Sequence, residues 1–214
     1  MWVAALKGRG EFEGIREHLE SLGSHQYKRV TTGTGGEVLQ APEESGWPHL
    51  MLIPDDPQRL KAIAQWVHRN LAVTAVISSG LINPCVPAAG EQPYFIPSLC
   101  LKSAGRVDIG GGVVLYEEIP FDREIQQAIT QTLRDQRSED ADRIFCADRP
   151  IHDAETKRWI FANLTAAGTD DFTAELLLIS KRFGTRVGCF KVFENRKDPI
   201  QDLKKGWELL SLTK

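Results

Sequence analysis

Apolar residues recur along this chain in two different periods, and the switches between them mark out the elements. Trp2-Val3-Ala4-Ala5-Leu6 is a short unbroken apolar run of the kind that makes a buried strand. The residues after it space Phe12, Ile15, Leu19 and Leu22 for one face of an amphipathic helix. A Gly-rich turn, Thr32-Gly33-Thr34-Gly35-Gly36, then leads to a loop rich in Pro, Glu and Gly around residues 41–48. His49–Ile53 reads as the next strand, ended by Pro54-Asp55-Asp56-Pro57. A helix follows, with Leu60, Ile63, Ala64, Val67 and Leu71 on a single stripe. Val73–Ser78 is continuously apolar, which suits a strand covered on both faces of a parallel sheet.

The second half repeats the alternation less regularly. Residues 80–112, rich in Pro and Gly, are expected to be irregular with one short strand, and Val113–Tyr116 to be another strand. Ile125, Ala128, Ile129, Thr132 and Leu133 outline a helix, Ser138–Asp142 a charged turn and Ile144–Ala147 a strand. Helices are predicted over 154–164, with Trp159, Ile160 and Leu164 inward, over 172–183, and over 201–212 on Leu203, Trp207 and Leu210; 187–193 is the last strand. Strands alternating with helices predict the α/β class: a single three-layer α/β/α domain over residues 1–214 with a mostly parallel mixed sheet.

Composition narrows the function classes. With 42% hydrophobic and 26% charged residues the chain suits a globular protein. Its net charge of −3, with both signs interspersed, offers no electrostatic reason to bind nucleic acid or an anionic membrane. No apolar run reaches transmembrane length, and Lys7-Gly8-Arg9-Gly10 breaks the first one too early for a signal peptide. The cytoplasm is the expected location. Cys85, Cys100, Cys146 and Cys189 are scattered in mostly apolar contexts, as buried reduced thiols would be. His18, His25, His49, His68 and His152 lack metal-ligand spacing, and neither Thr32–Gly36 nor Asp108–Gly112 has a dinucleotide-binding context. No metal or other cofactor is expected.

Four stretches carry a resemblance. Ala4-Ala5-Leu6 is followed by Glu11 opening a helix; Pro54-Asp55-Asp56-Pro57 is followed at a fixed spacing by Ser79-Gly80-Leu81-Ile82-Asn83; and Gly110-Gly111-Gly112-Val113-Val114 precedes Asp122. The longest stretch runs from Cys146-Ala147-Asp148-Arg149-Pro150-Ile151 through the Lys157 helix to Asp171–Asn195. In this layout the chain resembles the purine nucleosidase and nucleoside phosphorylase superfamily, including methylthioadenosine nucleosidases and hopanoid-associated phosphorylase-like proteins. The resemblance covers most of the chain in spacing and hydrophobicity and few of its chemical residues. It implies a nucleoside-like small-molecule ligand and, since family members are commonly oligomers, a homo-oligomer.

Cleaving a purine N-glycosidic bond builds positive charge on the ribose and negative charge on the base, so the leaving base, the sugar hydroxyls and the attacking water or phosphate each need a partner. By resemblance, Glu11 orients the water; the bland alternative is a first-turn Glu facing the helix dipole. Phe172, after Asp171, stands where the family has its ribose-binding glutamate, and a phenyl ring accepts no sugar hydrogen bond. Glu175, one helical turn on, is the substitute, or else a solvated carboxylate. Asn195 stands at the strand-end acid position, where an amide holds a base but cannot deliver a proton; it is equally good turn chemistry. Gly80, Leu81 and the backbone around Ile151 complete the expected ligand contacts. Pro54 and Pro57 have no N–H, and Asp55 and Asp56 repel anions, so phosphorolysis is disfavoured. Two readings stay open, a divergent nucleosidase and a non-catalytic nucleoside-binding or scaffold protein of the same fold, with an unrelated doubly wound protein as a third.

Overall fold

A computed structural model describes residues 1–33, 35–85, 93–104, 115–133 and 142–212. The described elements run β1 (Trp2–Leu6), α1 (Arg9–Ser21), β2 (Lys28–Thr31), β3 (Glu37–Gln40), β4 (His49–Leu52), α2 (Pro57–Asn70), β5 (Ala75–Ser78), β6 (Leu81–Pro84), β7 (Leu99–Ser103) and β8 (Tyr116–Pro120). They continue with α3 (Arg123–Thr132), β9 (Arg143–Cys146), α4 (Ala154–Leu164), β10 (Ala166–Asp170), α5 (Thr173–Arg182), β11 (Arg186–Cys189), β12 (Val192–Phe193) and α6 (Pro199–Leu212). The α/β class and the mostly parallel mixed pairing are as the pattern predicts. The strands, however, form two six-stranded sheets, ordered β11-β5-β1-β4-β3-β2 and β12-β6-β10-β9-β7-β8.

The first sheet is buried on both faces because its central strands alternate small and medium apolar side chains with no polar face. Ala4 and Leu6 of β1 pack with Phe12, Ile15, Leu19, Leu203 and Trp207 of α1 and α6. Val3 and Ala5 point the other way, against Ile63, Val67, Leu176 and Ile179 of α2 and α5. Helix α5 also sends Ala174 and Leu177 towards Ile82, Cys100 and Ile144 of the second sheet. It therefore wedges the two sheets together. All four cysteines are buried and unpaired.

The sheets meet where two strands bend. β5 passes through Ser79 and Gly80 into β6, and β11 passes through Phe190 and Lys191 into β12, so each changes sheet without ending. The ladder persists through both bends: Phe190 N donates to Ser78 O (3.1 Å), Val192 N to Gly80 O (3.1 Å) and Glu194 N to Ile82 O (3.0 Å). Gly80 has φ +132°, a conformation that L side chains rarely adopt. A Cβ there would also lie 2.6 Å from Glu11 Oε2.

Several local expectations need correction. Strands β2 and β3, on either side of the Gly-rich segment, pair as an antiparallel hairpin that the pattern did not reveal. Residues 80–104 hold two strands, β6 and β7, rather than one. The strand expected at 113–116 starts at Tyr116, with Val113 and Val114 outside the described residues, as are Gly110–Gly112 and most of the 138–142 turn. The 187–193 strand is broken into β11 and β12 by the bend, and β10 was not foreseen.

Candidate functional site

At the seam between the sheets lies an open cleft of about 330 Å³, whose lining includes Lys7, Gly8, Glu11, Leu81, Asn83, Ile151, Asp170, Asp171, Phe172 and Glu194. Its walls come from the ends of β1, β6 and β10, the start of α1 and the loop before α4, so residues distant in sequence converge there.

Glu11 sits in the first turn of α1, whose N-cap is Gly8. Having no capping side chain at Gly8, the helix start is covered by the Glu11 carboxylate folding back over it, with the Gly8 N–H as one partner. The Leu81 N–H donates to Glu11 Oε1 across the seam at 3.3 Å. Oε2 is buried against Gly80 and has no hydrogen-bond partner. Burial pushes the Glu11 pKa above the ordinary carboxylate value; the Leu81 N–H, the Lys191 charge and the Gly8 N–H only partly oppose it.

A second buried carboxylate lies on the same floor with the opposite character. Asp170, at the end of β10, pairs with Lys191 at 3.0 Å, their side chains 5% and 0% exposed. Asp170 Oδ1 also accepts from Cys146 Sγ (2.9 Å), Thr173 N (3.2 Å) and Phe172 N (3.3 Å), and Oδ2 accepts from the Thr173 hydroxyl. Lys191 Nζ donates to Ser78 Oγ (3.1 Å) and stands 4.1 Å from the centre of the Phe172 ring. Burial alone would neutralise both groups. The Lys191 charge and the thiol and hydroxyl donors hold Asp170 below its ordinary pKa, and Asp170 holds Lys191 above its own. The cluster is thus an ion pair at neutral pH.

The expected site residues fall into three groups. Glu11, Leu81, Ile151, Asp171 and Phe172 all line the cleft, with Gly80 directly behind Glu11. Asp171 is engaged by Lys7, which also lies 3.6 Å from Asp55. Phe172 is the N-cap residue of α5 and is buried, so Asp170 rather than Asp171 satisfies the helix's first N–H groups. Asn195 is exposed in the turn after β12, and its neighbour Glu194 is the one that lines the cleft. Glu175 does not join Glu11. It pairs with Lys102 of β7 in a separate depression lined also by Gln58, Lys61 and Arg182. The substitution of Glu175 for the sugar-binding glutamate therefore fails on geometry: α5 begins only at Thr173, and its third residue faces β7.

Asn83, Asp170 and Lys191 had no place in the expected site. A lysine inside the apolar run Gly188-Cys189-Phe190-Lys191-Val192-Phe193 was the available signal, because a lysine there must be buried with a partner.

Among the described residues there is no cluster of His, Cys, Asp and Glu suited to a metal ion, and no helix is long and apolar enough to cross a membrane. A mixed α/β protein with a polar cleft at the seam of two sheets, floored by buried carboxylates, is the class these features define. No protein-family model matches the chain, nor does any curated protein sequence. Solved structures match over nearly all of it. A futalosine hydrolase mutant of Helicobacter pylori aligns with a TM-score of 0.76 at 10% identity, covering 98% of this chain and 96% of its own. The 5'-methylthioadenosine/S-adenosyl homocysteine nucleosidase of Campylobacter jejuni aligns with the same TM-score at 11% identity and the same coverage. Helicobacter pylori MTAN gives 0.71 at 11% identity, covering 98% of each chain. The chain has the same fold as these nucleosidases and this hydrolase.

Proposed function

We propose that the cleft binds a purine-type nucleoside and hydrolyses its N-glycosidic bond with water. The observation that carries this reading is Glu11, a carboxylate held at the seam with a raised pKa and an oxygen that has no partner. A buried acceptor with unused capacity is suited to take a proton from water. In the step envisaged, the water oxygen bonds to the anomeric carbon and its proton passes to Glu11. The C–N bond breaks, its electron pair leaves on the base nitrogen, the base anion takes a proton from solvent water, and Glu11 returns its own proton to solvent, leaving neutral base and free sugar. The lining favours water over phosphate. Asp170, Asp171, Glu11 and Glu194 surround the space, and Lys7 is already engaged by Asp171 and Asp55. Thr169, Asp171 and Glu194 are among the polar groups that can meet sugar hydroxyls, Phe172 offering none.

Phe172 favours a second reading, in which the site holds a nucleoside without cleaving it. Release of free base from a panel of purine nucleosides, with and without phosphate, separates the two when wild type is compared with Glu11→Gln. Phosphate-independent release lost on substitution supports hydrolysis. A nucleoside-induced rise in melting temperature with no release supports binding alone, and neither response overturns both.

A further inference from the structure

Asn83 is the cleft's other distinctive polar group. Residues 81 and 83 of β6 share a face, with Ile82 turned into the apolar core, so Asn83 lines the same cleft as Leu81. Two strand residues place it about 6.6 Å beyond the point where Leu81 meets Glu11, a separation on the scale of a bicyclic base. Across the antiparallel pair its direct neighbour is Thr169, also in the lining.

Its amide cannot turn over. Lys157 Nζ of α4 donates to Asn83 Oδ1, and Asn83 Nδ2 donates to the Ile151 carbonyl at 3.1 Å. An ammonium only donates and a carbonyl only accepts, so flipping the amide would set donor against donor and acceptor against acceptor. The Nδ2 group has a second N–H, and the bond to Ile151 uses only one. The Ile151 carbonyl takes that one bond. The locking therefore fixes an N–H donor, the second of Nδ2, at this wall of the cleft.

We propose that Asn83, with its orientation locked by Lys157, is the specificity-determining residue for the base, and that it selects a base edge presenting a hydrogen-bond acceptor: a 6-oxopurine over a 6-aminopurine. The inference rests on the reading of the cleft as a nucleoside site. An oxo group at the edge accepts the spare N–H. An amino group brings a third donor to the same place and leaves the amide unsatisfied, which is the more heavily penalised mismatch.

Free hypoxanthine and adenine are the probes, titrated calorimetrically against wild type, Asn83→Asp and Lys157→Met, with base release from inosine and adenosine measured in parallel. Wild type is expected to bind hypoxanthine at least about ten-fold more tightly than adenine. Asn83→Asp keeps the size and the Lys157 contact but removes both N–H groups, and is expected to bring the ratio to about one or below it. Lys157→Met frees the amide to rotate and is expected to raise adenine affinity while hypoxanthine affinity changes by less than about three-fold. A structural role would weaken both bases equally and leave their ratio untouched. Equal affinities in wild type, an unchanged ratio in both variants, or no binding of either base overturns the proposal. Unselective cleavage of inosine and adenosine overturns it while leaving hydrolysis standing. Selective base binding without release does the reverse.

Discussion

The two buried carboxylates of the cleft floor stand in contrast. Asp170 has a lysine, a thiol, a hydroxyl and two backbone N–H groups around it, and every one holds its negative charge in place. Glu11 has one long contact to Leu81, the Gly8 N–H and an oxygen with nothing. Both are desolvated, and only the first is compensated. A fully satisfied carboxylate stabilises a fold and has no capacity left for a ligand. A half-satisfied one weakens the fold and keeps that capacity. On the proposed reading, structure and function fall to different acids of one cleft floor.

The contrast is most severely tested at Lys191. Lys191→Met leaves Asp170 buried and unpaired and is expected to remove about 3–5 kcal/mol of stability, read from urea unfolding. Adding Asp170→Asn to it should restore most of the loss; a double variant as unstable as the single one would show that the pair is not the cause. The pH dependence has a definite sign. A depressed Asp170 contributes stability above the unfolded carboxylate pKa, and this is lost as pH falls through its lower folded value.

Glu11 should behave in the opposite way. Glu11→Gln is expected to lower base release about 100-fold or more while stability holds or rises, because a desolvated charge has been removed. Its raised pKa destabilises the fold as pH rises through it, and as a base it works only when ionised. The acid limb of the activity profile should therefore lie above the ordinary carboxylate range and vanish in the variant. A limb at the usual carboxylate position would separate the titrating group from Glu11.

Gly80→Ala forces a side chain into φ +132° and against Glu11 Oε2, with an expected loss of about 1–3 kcal/mol by thermal unfolding. Combining it with Glu11→Ala should recover only the contact part of that loss, leaving the backbone strain. At the small end, Glu175→Gln removes a partly exposed ion pair with Lys102. It should change stability by less than about 1 kcal/mol and leave base release unaltered.

Elements were legible wherever periodicity was strong. α2, α4 and α6 and the central strands β1, β4 and β5 lie close to where the apolar spacing puts them, because their burial is one-sided for helices and complete for strands. β10 was invisible because Ala166-Ala167-Gly168 carries no β-branched or aromatic residue. The structure explains that composition: a Cβ at Gly168 would lie 2.6 Å from Ile82 Cδ1, so the strand is thin to admit its neighbour. Glu11 was legible from the resemblance, as were Ile151, Asp171 and Phe172 as cleft neighbours. The Asp170–Lys191 pair was not, since its meaning depends on two strands far apart in sequence meeting at one bend. Asn83 was hidden for the same reason, its orientation being set by a lysine on a helix 74 positions away.

The bent strands have a bearing on cooperativity. Since β5–β6 and β11–β12 carry their hydrogen-bond ladder through both bends, neither sheet has an end at which it can part from the other. Opening one sheet breaks the strands of the second, so the amides of Phe190, Val192 and Glu194 should exchange with solvent only through global unfolding. The floor of the cleft is then among the last parts of the molecule to open, even though the space above it is exposed to solvent.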